Sequence, residues 1–503
     1  MRYRKAGLGA VVLILPFMPG AVTVGPLIGD GSVPIEVIAA LAVPAGLSLG
    51  RPSRVAALFC AGLLALLCLL RLADILGPAL VGRSIDLLAD PGHLPWGWAA
   101  AGAAFLLLTG LFALAILAVG GALRDRRPVG FGILATALAL IVDASVAPGL
   151  PISADAWAAL RQQRATWADD ALIAGSPAAL AAALGPPISA EAGLGRLRGQ
   201  DLYLVFFESY GMVLLDAGAL AGEAKPAIAG FGARLQRAGL TLRSARIESP
   251  TYGGGSWLAH GTVDAGARLT SQRRYDLVTT TTRPTWATLM TANGYEAIDV
   301  MPGLEFPLAH QEFWGFDKVI GAEDLHYDGP WFGWFGIPDQ VTLDWVTRRP
   351  RVAGKPLFAQ IVLVSSHLPF APVPPKLGGD VSGSLAGRAE LVEAARTGPD
   401  WIHLGPAYLR SIRYDLEILA DWIPRVAANG AVVILLGDHQ PPALIGAASA
   451  SHDVPIHVIA RDPDLVRAIA GEGFVDGALP SGSAGSMGDL LGRFATGLQG
   501  SVQ

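Results

Sequence analysis

Five apolar stretches fill most of the first 150 residues of this chain, at about 8–28, 33–50, 54–76, 97–122 and 129–148. Each is close to the ~20 residues an α-helix needs to cross ~30 Å of hydrocarbon. A single chain segment inside lipid satisfies its backbone only as a helix or in a closed barrel. The spacing therefore predicts a transmembrane bundle of about five helices over residues 1–150. The second stretch is the shortest and carries Pro44 and Gly46. A cleaved signal peptide is the alternative reading of the first, but four more apolar stretches follow and no clean small-residue cleavage site does. Composition agrees: 52% of residues are hydrophobic and 16% charged, where soluble globular domains carry about 25% charged residues.

Loop charges predict an orientation. Arg2, Arg4 and Lys5 precede the first stretch, Arg51 and Arg54 follow the second, and Arg124, Arg126 and Arg127 follow the fourth. The alternate loops hold Arg83 beside Asp86 and Asp90. Basic loops stay on the cytoplasmic side, so five crossings would put everything after residue 150 on the extracytoplasmic face of a cell membrane, the bacterial inner membrane. Trp96 and Trp98 fall where an interfacial aromatic belt belongs. Arg71 and Asp74, three residues apart near the end of the third stretch, read as an interfacial pair, with an intramembrane functional pair as the alternative. A net charge of −5 argues against a nucleic-acid partner. The two cysteines, Cys60 and Cys68, both lie in an apolar run, which leaves the polar part without disulfides or thiolate ligands.

Residues 151–199 read as a juxtamembrane linker. Within it 154–175 is helix-like, with Trp157, Leu160, Trp167 and Leu172 on one stripe; an interfacial helix and a packing helix fit equally. From residue 200 the pattern becomes α/β. Strands are expected at 202–207, 242–247, 297–300, 357–364, 432–436 and 456–460. Helices are expected at 226–238, 257–265, 284–292 and 408–428, with Gly294 and Gly430 as C-terminal caps. Alternation of this kind implies a mainly parallel central sheet covered on both faces over residues 200–503.

Ligands of such sheets sit beyond the carboxyl ends of the strands. Glu208 follows the first strand, Ser365-Ser366-His367 the fourth, and Gly437-Asp438-His439-Gln440-Pro441-Pro442 the fifth. An aspartate after a strand is commonly a helix cap, but a carboxylate, a histidine and an Asp-His pair on one edge point to a site. Glu248 opens a loop that runs through Ser249, Thr251 and three consecutive glycines to Ser256, at the start of an expected helix. Glycines allow close backbone approach and positive φ, and a helix N-terminus suits a phosphate. The alternative is that Ser256 merely caps the helix. A divalent metal would activate the hydroxyl. Glu208, Ser256 and Asp438 offer oxygen and His439 offers nitrogen, a set suited to Mn²⁺ or Zn²⁺ and less to Mg²⁺.

A membrane anchor, a linker, and an outer domain with Glu208-Ser209, a Gly-rich serine loop and Gly437-Asp438-His439 resembles the alkaline phosphatase superfamily. Within it the pattern is most similar to the membrane-anchored, sulfatase-like branch of lipoteichoic acid synthases and phosphoethanolamine transferases. The resemblance implies one divalent metal held by Glu208, Ser256, Asp438 and His439, with Ser256 as nucleophile. It also implies substrate contacts from His367, from His452 in Ser451-His452-Asp453-Val454-Pro455, and from His310 ahead of Phe313-Trp314-Gly315-Phe316-Asp317. The implied reaction moves a phospho-headgroup from a membrane phospholipid to an envelope glycan or lipid. A tethered phosphodiesterase or phosphatase using water is the alternative, and a non-catalytic lipid-binding module a third reading. Both named branches usually carry threonine at the nucleophile, which leaves Thr251 as a rival to Ser256. The domain lacks the disulfides usual in ethanolamine transferases, and Ser256-Trp257-Leu258-Ala259-His260 does not fit the formylglycine context of true sulfatases. His260 and His457 read as structural histidines, and Trp331, Trp334 and Trp345 as aromatic core or, alternatively, the border of a headgroup channel.

Overall fold

The computed structural model describes residues 173–499 apart from 190, 217, 305–307, 334–335, 379–380, 382, 401–402, 443–444 and 446–450; before them it describes 97–124 and the scattered positions 33–34, 58, 60–63, 65–66, 152–153 and 171. Contacts divide the chain near residue 172 into two compact units.

In the first unit Gly97–Arg124 is one helix of 28 residues, which coincides with the fourth apolar stretch. Its side chains are described from 102 to 117, and Leu106, Leu107 and Leu114 are exposed. Among the described residues, no helix is long and apolar enough to cross a membrane. Val33–Pro34 pairs in parallel with Ile152–Ser153. Of the other apolar stretches only 33–34, 58, 60–63 and 65–66 are described; Arg71, Asp74 and most of 151–172 lie outside the described residues.

The second unit is built on a nine-stranded sheet. Its strands are β1 Leu202–Phe207, β2 Thr241–Glu248, β3 Glu296–Val300, β4 Lys318–Ile320, β5 Leu357–Val362, β6 Val432–Gly437, β7 Asp453–Ala460, β8 Val475–Asp476 and β9 Ser483–Ser486. The order is β8-β2-β7-β6-β1-β5-β3-β4, with β9 also beside β2. β1 is central and parallel to both β5 and β6, and β3 is parallel to β5 and β4. β7 runs antiparallel to β6 and β2, so the sheet is mixed on that side. The run 456–460 alone carries no sign of direction, because a strand buried on both faces reads the same either way. One result of the reversal is that β7 begins, rather than ends, on the edge where β2 and β6 end: Glu248 pairs with Asp453.

β1 shows why the sheet is covered twice. Tyr203, Val205 and Phe207 enter one core, with Ile228 and Phe231 of α1 (Ala219–Arg237). Leu202, Leu204 and Phe206 enter the other, with Leu258 and Val263 of α2 (Ser256–Ala265) and Trp286 of α3 (Trp286–Ala292). The period-two alternation serves both faces, and each fully buried Leu or Phe contributes about 1.5–3 kcal/mol. The first face also receives α4 (Asp339–Arg348) and α5 (Leu404–Ala427), whose Leu416, Leu419 and Trp422 are buried. Gly294 and Gly430 have φ of 87° and 86° just past the ends of α3 and α5, where left-handed backbone satisfies the last carbonyls. Residues 173–199 pack with this unit, since Leu184, Ala192, Leu194 and Leu197 belong to the second core.

Candidate active site

Three strands, β1, β6 and β2, end on one edge of the sheet, and the segment after each supplies part of one group. β1 and β6 are in register to their last residues, Phe207 opposite Gly437, so Glu208 and Asp438 emerge as neighbours. The fit is close: a Cβ at Gly437 would stand 2.0 Å from the Tyr210 carbonyl oxygen. The Ser256 loop returns to the same place. Tyr252 bridges to Gln440, Gly253 N–H donates to the Gln440 carbonyl at 2.8 Å, and Ser249 Oγ donates to the Asp438 carbonyl at 2.6 Å. Gly253, Gly254 and Gly255 have φ of 69°, 154° and 77°, a backbone course that side chains resist. That course delivers Ser256 at the first turn of α2.

Glu208, Asp438 and His439 are all buried, and each offers a ligand atom within 4.8 Å of the others. His439 Nε2 lies 3.6 Å from Glu208 Oε1 and 3.5 Å from Asp438 Oδ2. Ser256 Oγ lies 3.0 Å from His439 Nε2 and 3.4 Å from Glu208 Oε2. Tetrahedral ligands about 2.1 Å from one ion stand about 3.4 Å apart, the range of these four separations. Asp438 Oδ1 is occupied by the N–H groups of Ser209 and His439, at 2.8 and 2.7 Å. Its Oδ2 is buried with no hydrogen-bond partner, and such an orphan has a cost unless something positive faces it. His439 Nδ1 is 2.8 Å from the Gln440 carbonyl, so Nδ1 carries the proton and Nε2 turns a lone pair inward, as a ligating imidazole does. The residues present fit a divalent ion.

The electrostatics fit as well. Burial and the Glu208 charge push Asp438 up to about 6. Burial pulls His439 down, but the Asp438 and Glu208 charges outweigh it and hold the ring above the ordinary histidine range. Two carboxylates in a dry pocket repel each other, and a cation between them removes that repulsion.

The histidines singled out from the sequence separate. His367 is half-buried at the end of β5, its Nδ1 2.7 Å from the Leu368 carbonyl; burial lowers its pKa, and it is close enough to feel His439 and Asp438. His452 lies against the nucleophile loop rather than against the ligand group. Its ring is 5.7 Å from that of Tyr252 and its carbonyl accepts from Ser249 N–H. The reversed β7 puts it there. His310 is exposed at the start of the Gln311–Trp314 turn of helix, and no described contact joins it to the group. Thr251 is buried 3.5 Å from Ser249 Oγ, inside the loop. His260, one turn behind Ser256, is buried against Phe206 at 4.2 Å between rings, and burial pushes it down to about 4. His457 is a core histidine between Ser244 and Tyr210. Trp331 is 57% exposed, Trp345 packs against the first core, and Trp334 lies outside the described residues.

Several supporting residues were not singled out from the sequence. Ser209 has φ of 56°, strained for a serine. Its Oγ donates to Glu208 Oε1 at 2.7 Å while its N–H holds Asp438. Gln440 ties three segments: its side chain accepts from Val213 N–H and donates to the Asp453 carbonyl, and its own carbonyl takes the Gly253 N–H. Ser366 Oγ donates to the Glu208 carbonyl, and Tyr408 to that of Ser209, both at 2.7 Å. The adjacency of Ser209 and Gln440 to the Glu208 and Asp438-His439 motifs was the available signal; Tyr408 carried none.

No family model matches the chain, and no curated protein sequence does. Solved structures do match. The lipooligosaccharide phosphoethanolamine transferase EptA, an integral membrane protein from Neisseria meningitidis, is 12% identical over 98% of this chain and 95% of its own, with a TM-score of 0.46. The lipoteichoic acid synthase LtaP from Listeria monocytogenes is 16% identical over 62% of this chain and 75% of its own, with a TM-score of 0.41. The phosphoglycerol transferase GacH from Streptococcus pyogenes, solved with sn-glycerol-1-phosphate, is 11% identical over 58% and 74%, with a TM-score of 0.36. By name, EptA and LtaP fall in the branch that the motifs resemble.

Proposed function

We propose that this chain is a metal-dependent phosphotransferase in which Ser256 takes a phospho-headgroup, of phosphoglycerol or phosphoethanolamine type, from a membrane phospholipid and passes it to an envelope glycan or lipid. The observation that carries this is the position of Ser256 Oγ, 3.0 Å from His439 Nε2 and 3.4 Å from Glu208 Oε2, at the N-terminus of a ten-residue helix. A divalent ion, Mn²⁺ or Zn²⁺, held by Glu208, Ser256, Asp438 and His439, would supply Lewis-acid stabilisation of the serine oxygen and of the phosphate.

The chain's own residues do the rest. Ser256 Oγ attacks phosphorus; its bond to phosphorus forms as the bond from phosphorus to the diacylglycerol oxygen breaks. The positive end of α2 faces the phosphate oxygens. His367, close enough to feel His439 and Asp438, binds a phosphate oxygen or carries the Ser256 hydroxyl proton to the leaving oxygen; His452 does the same from the side of the nucleophile loop. An acceptor hydroxyl then attacks the phospho-serine and frees Ser256. With water as acceptor the same steps give a phosphodiesterase or phosphatase. Residues 1–150 anchor the chain in the inner membrane with the sheet domain on the periplasmic side. The exposed Leu106, Leu107 and Leu114 of the Gly97–Arg124 helix support a lipid-facing role for that helix.

The test uses the full chain in detergent with headgroup-labelled phosphatidylglycerol and phosphatidylethanolamine plus Mn²⁺ or Zn²⁺. Peptide mass spectrometry should find the headgroup phosphate on Ser256. An adduct on Thr251, or undiminished transfer by Ser256→Ala, overturns the reading. Product analysis with and without a glycan acceptor separates transferase from hydrolase.

A further inference from the structure

Directly behind the candidate metal site two buried aspartates face each other. Asp339 opens α4 and Asp415 lies in the middle of α5; both are 0% exposed. Asp339 is fully supplied with donors: Oδ1 accepts from Val364 N–H and Oδ2 from Ser365 N–H, each at 2.8 Å. Its own N–H donates to Ser365 Oγ at 3.1 Å. Asp339 thus grips the backbone where β5 ends and the segment carrying Ser366 and His367 begins.

Asp415 has the opposite surroundings. Neither of its oxygens meets a donor among the described residues. The polar groups within hydrogen-bond reach are Asp339 and Ser366. The Ser366 hydroxyl gives its one proton to the Glu208 carbonyl at 2.7 Å, and Asp339 turns only acceptor oxygens toward Asp415. A carboxylate facing another carboxylate in a dry interior is strongly disfavoured; a carboxylic acid in the same place has a proton to donate. We propose that Asp339 and Asp415 share one proton, carried on Asp415, and that this acid–carboxylate pair fixes the segment 363–367, so that Asp415 is a positioning residue for Glu208 and His367. The positioning role rests on the assignment of Glu208 and His367 to the active site.

The charge balance agrees. Burial and the Asp339 charge raise Asp415 well above the usual carboxylate range. Burial also raises Asp339, to about 6, against the two N–H groups that hold it. Glu208 also raises Asp415, and the two aspartates in turn raise Tyr414, whose Oη accepts from Gln340 N–H at 3.4 Å. Two carboxyls in one desolvated site keep one proton between them.

The test is infrared spectroscopy and amide exchange on the full-length protein. The wild-type minus Asp415→Asn difference spectrum at neutral pH should contain the C=O stretch of a protonated carboxyl, which isolates this acid from the other buried carboxyls. The asparagine side chain offers an N–H in place of the acid O–H. The amides of Val364 and Ser365 should therefore exchange within about twofold of wild type in Asp415→Asn and at least about tenfold faster in Asp415→Ala. A difference spectrum without that band, or exchange equally fast in both variants, overturns the proposal. If Asp415→Ala does not fold, the band and the exchange of Asp415→Asn still decide it. Neither readout needs metal or substrate, so failure here leaves the phosphotransfer reading intact, and failure of that reading leaves the pair intact.

Discussion

Ser256 Oγ and His439 Nε2 stand 3.0 Å apart across 183 positions of sequence. The contact arises because β2 and β6 end on one edge of the sheet and three glycines return the chain from β2 to that edge. Gly255, not Ser256, occupies the helix cap position, and the Ser256 hydroxyl turns instead to the buried His439 imidazole and the buried Glu208 carboxylate.

Replacing Ser256 with alanine should lower headgroup transfer on the order of 10³-fold or more, while the thermal midpoint of the metal-free protein stays near wild type. Ser256 gives α2 no capping bond, so its loss removes chemistry rather than structure. Initial rates of label release, with a melting curve on the same samples, check this.

Asp438→Asn should separate metal binding from stability. Asn keeps the oxygen that accepts from Ser209 and His439 and puts an amide where Oδ2 now lacks a partner. Without metal the variant should be at least as stable as wild type, because one of two repelling carboxylates is gone. Wild type should gain about 2.7 kcal/mol at 100 times the dissociation constant, and the variant little. Thermal shift against Mn²⁺ and Zn²⁺ concentration is the measurement.

Much of this was legible in the sequence, for reasons that differ by element. The strands near 202–207 and 432–436 announce themselves as apolar runs bounded by polar motifs, and Glu208, Asp438 and His439 stand just past the ends of those runs. Direction is another matter: the run 456–460 forms β7, which reverses, and with it His452 approaches from the Tyr252 side. Ser209 had only its place beside Glu208 to mark it, and Ser366, Tyr408 and Asp415 were not legible, since a polar residue that holds a backbone carbonyl or shares a proton has no sequence pattern apart from its neighbours in space. His310 shows the converse, a motif position that ends exposed with no described contact to the group.

Gly437→Ala should destabilise the sheet domain by at least about 3 kcal/mol and weaken metal binding with it. The added Cβ would meet backbone, the Tyr210 carbonyl oxygen at 2.0 Å, which has no rotamer to move. Gly378→Ala, with nothing within 4 Å of the new atom, is the control and should change stability by less than about 0.5 kcal/mol. Denaturant unfolding compares the two.

His457 should contribute to acid sensitivity. Burial pushes it down to about 3, whereas in the unfolded chain it titrates near ~6.5. Between those values the unfolded state binds a proton that the native state does not, so stability falls as pH drops through the window, by on the order of 5 kcal/mol over its full width. His457→Gln should flatten the decline between pH 6.5 and 4. Parallel declines in the two proteins would assign the acid sensitivity elsewhere.

Diffraction at the absorption edge of the added metal, from crystals grown with Mn²⁺ or Zn²⁺, locates the ion. One strong anomalous peak is expected about 2.0–2.3 Å from Glu208, Ser256 Oγ, Asp438 Oδ2 and His439 Nε2. A peak elsewhere, or none at saturating metal, would contradict a metal site at these four residues.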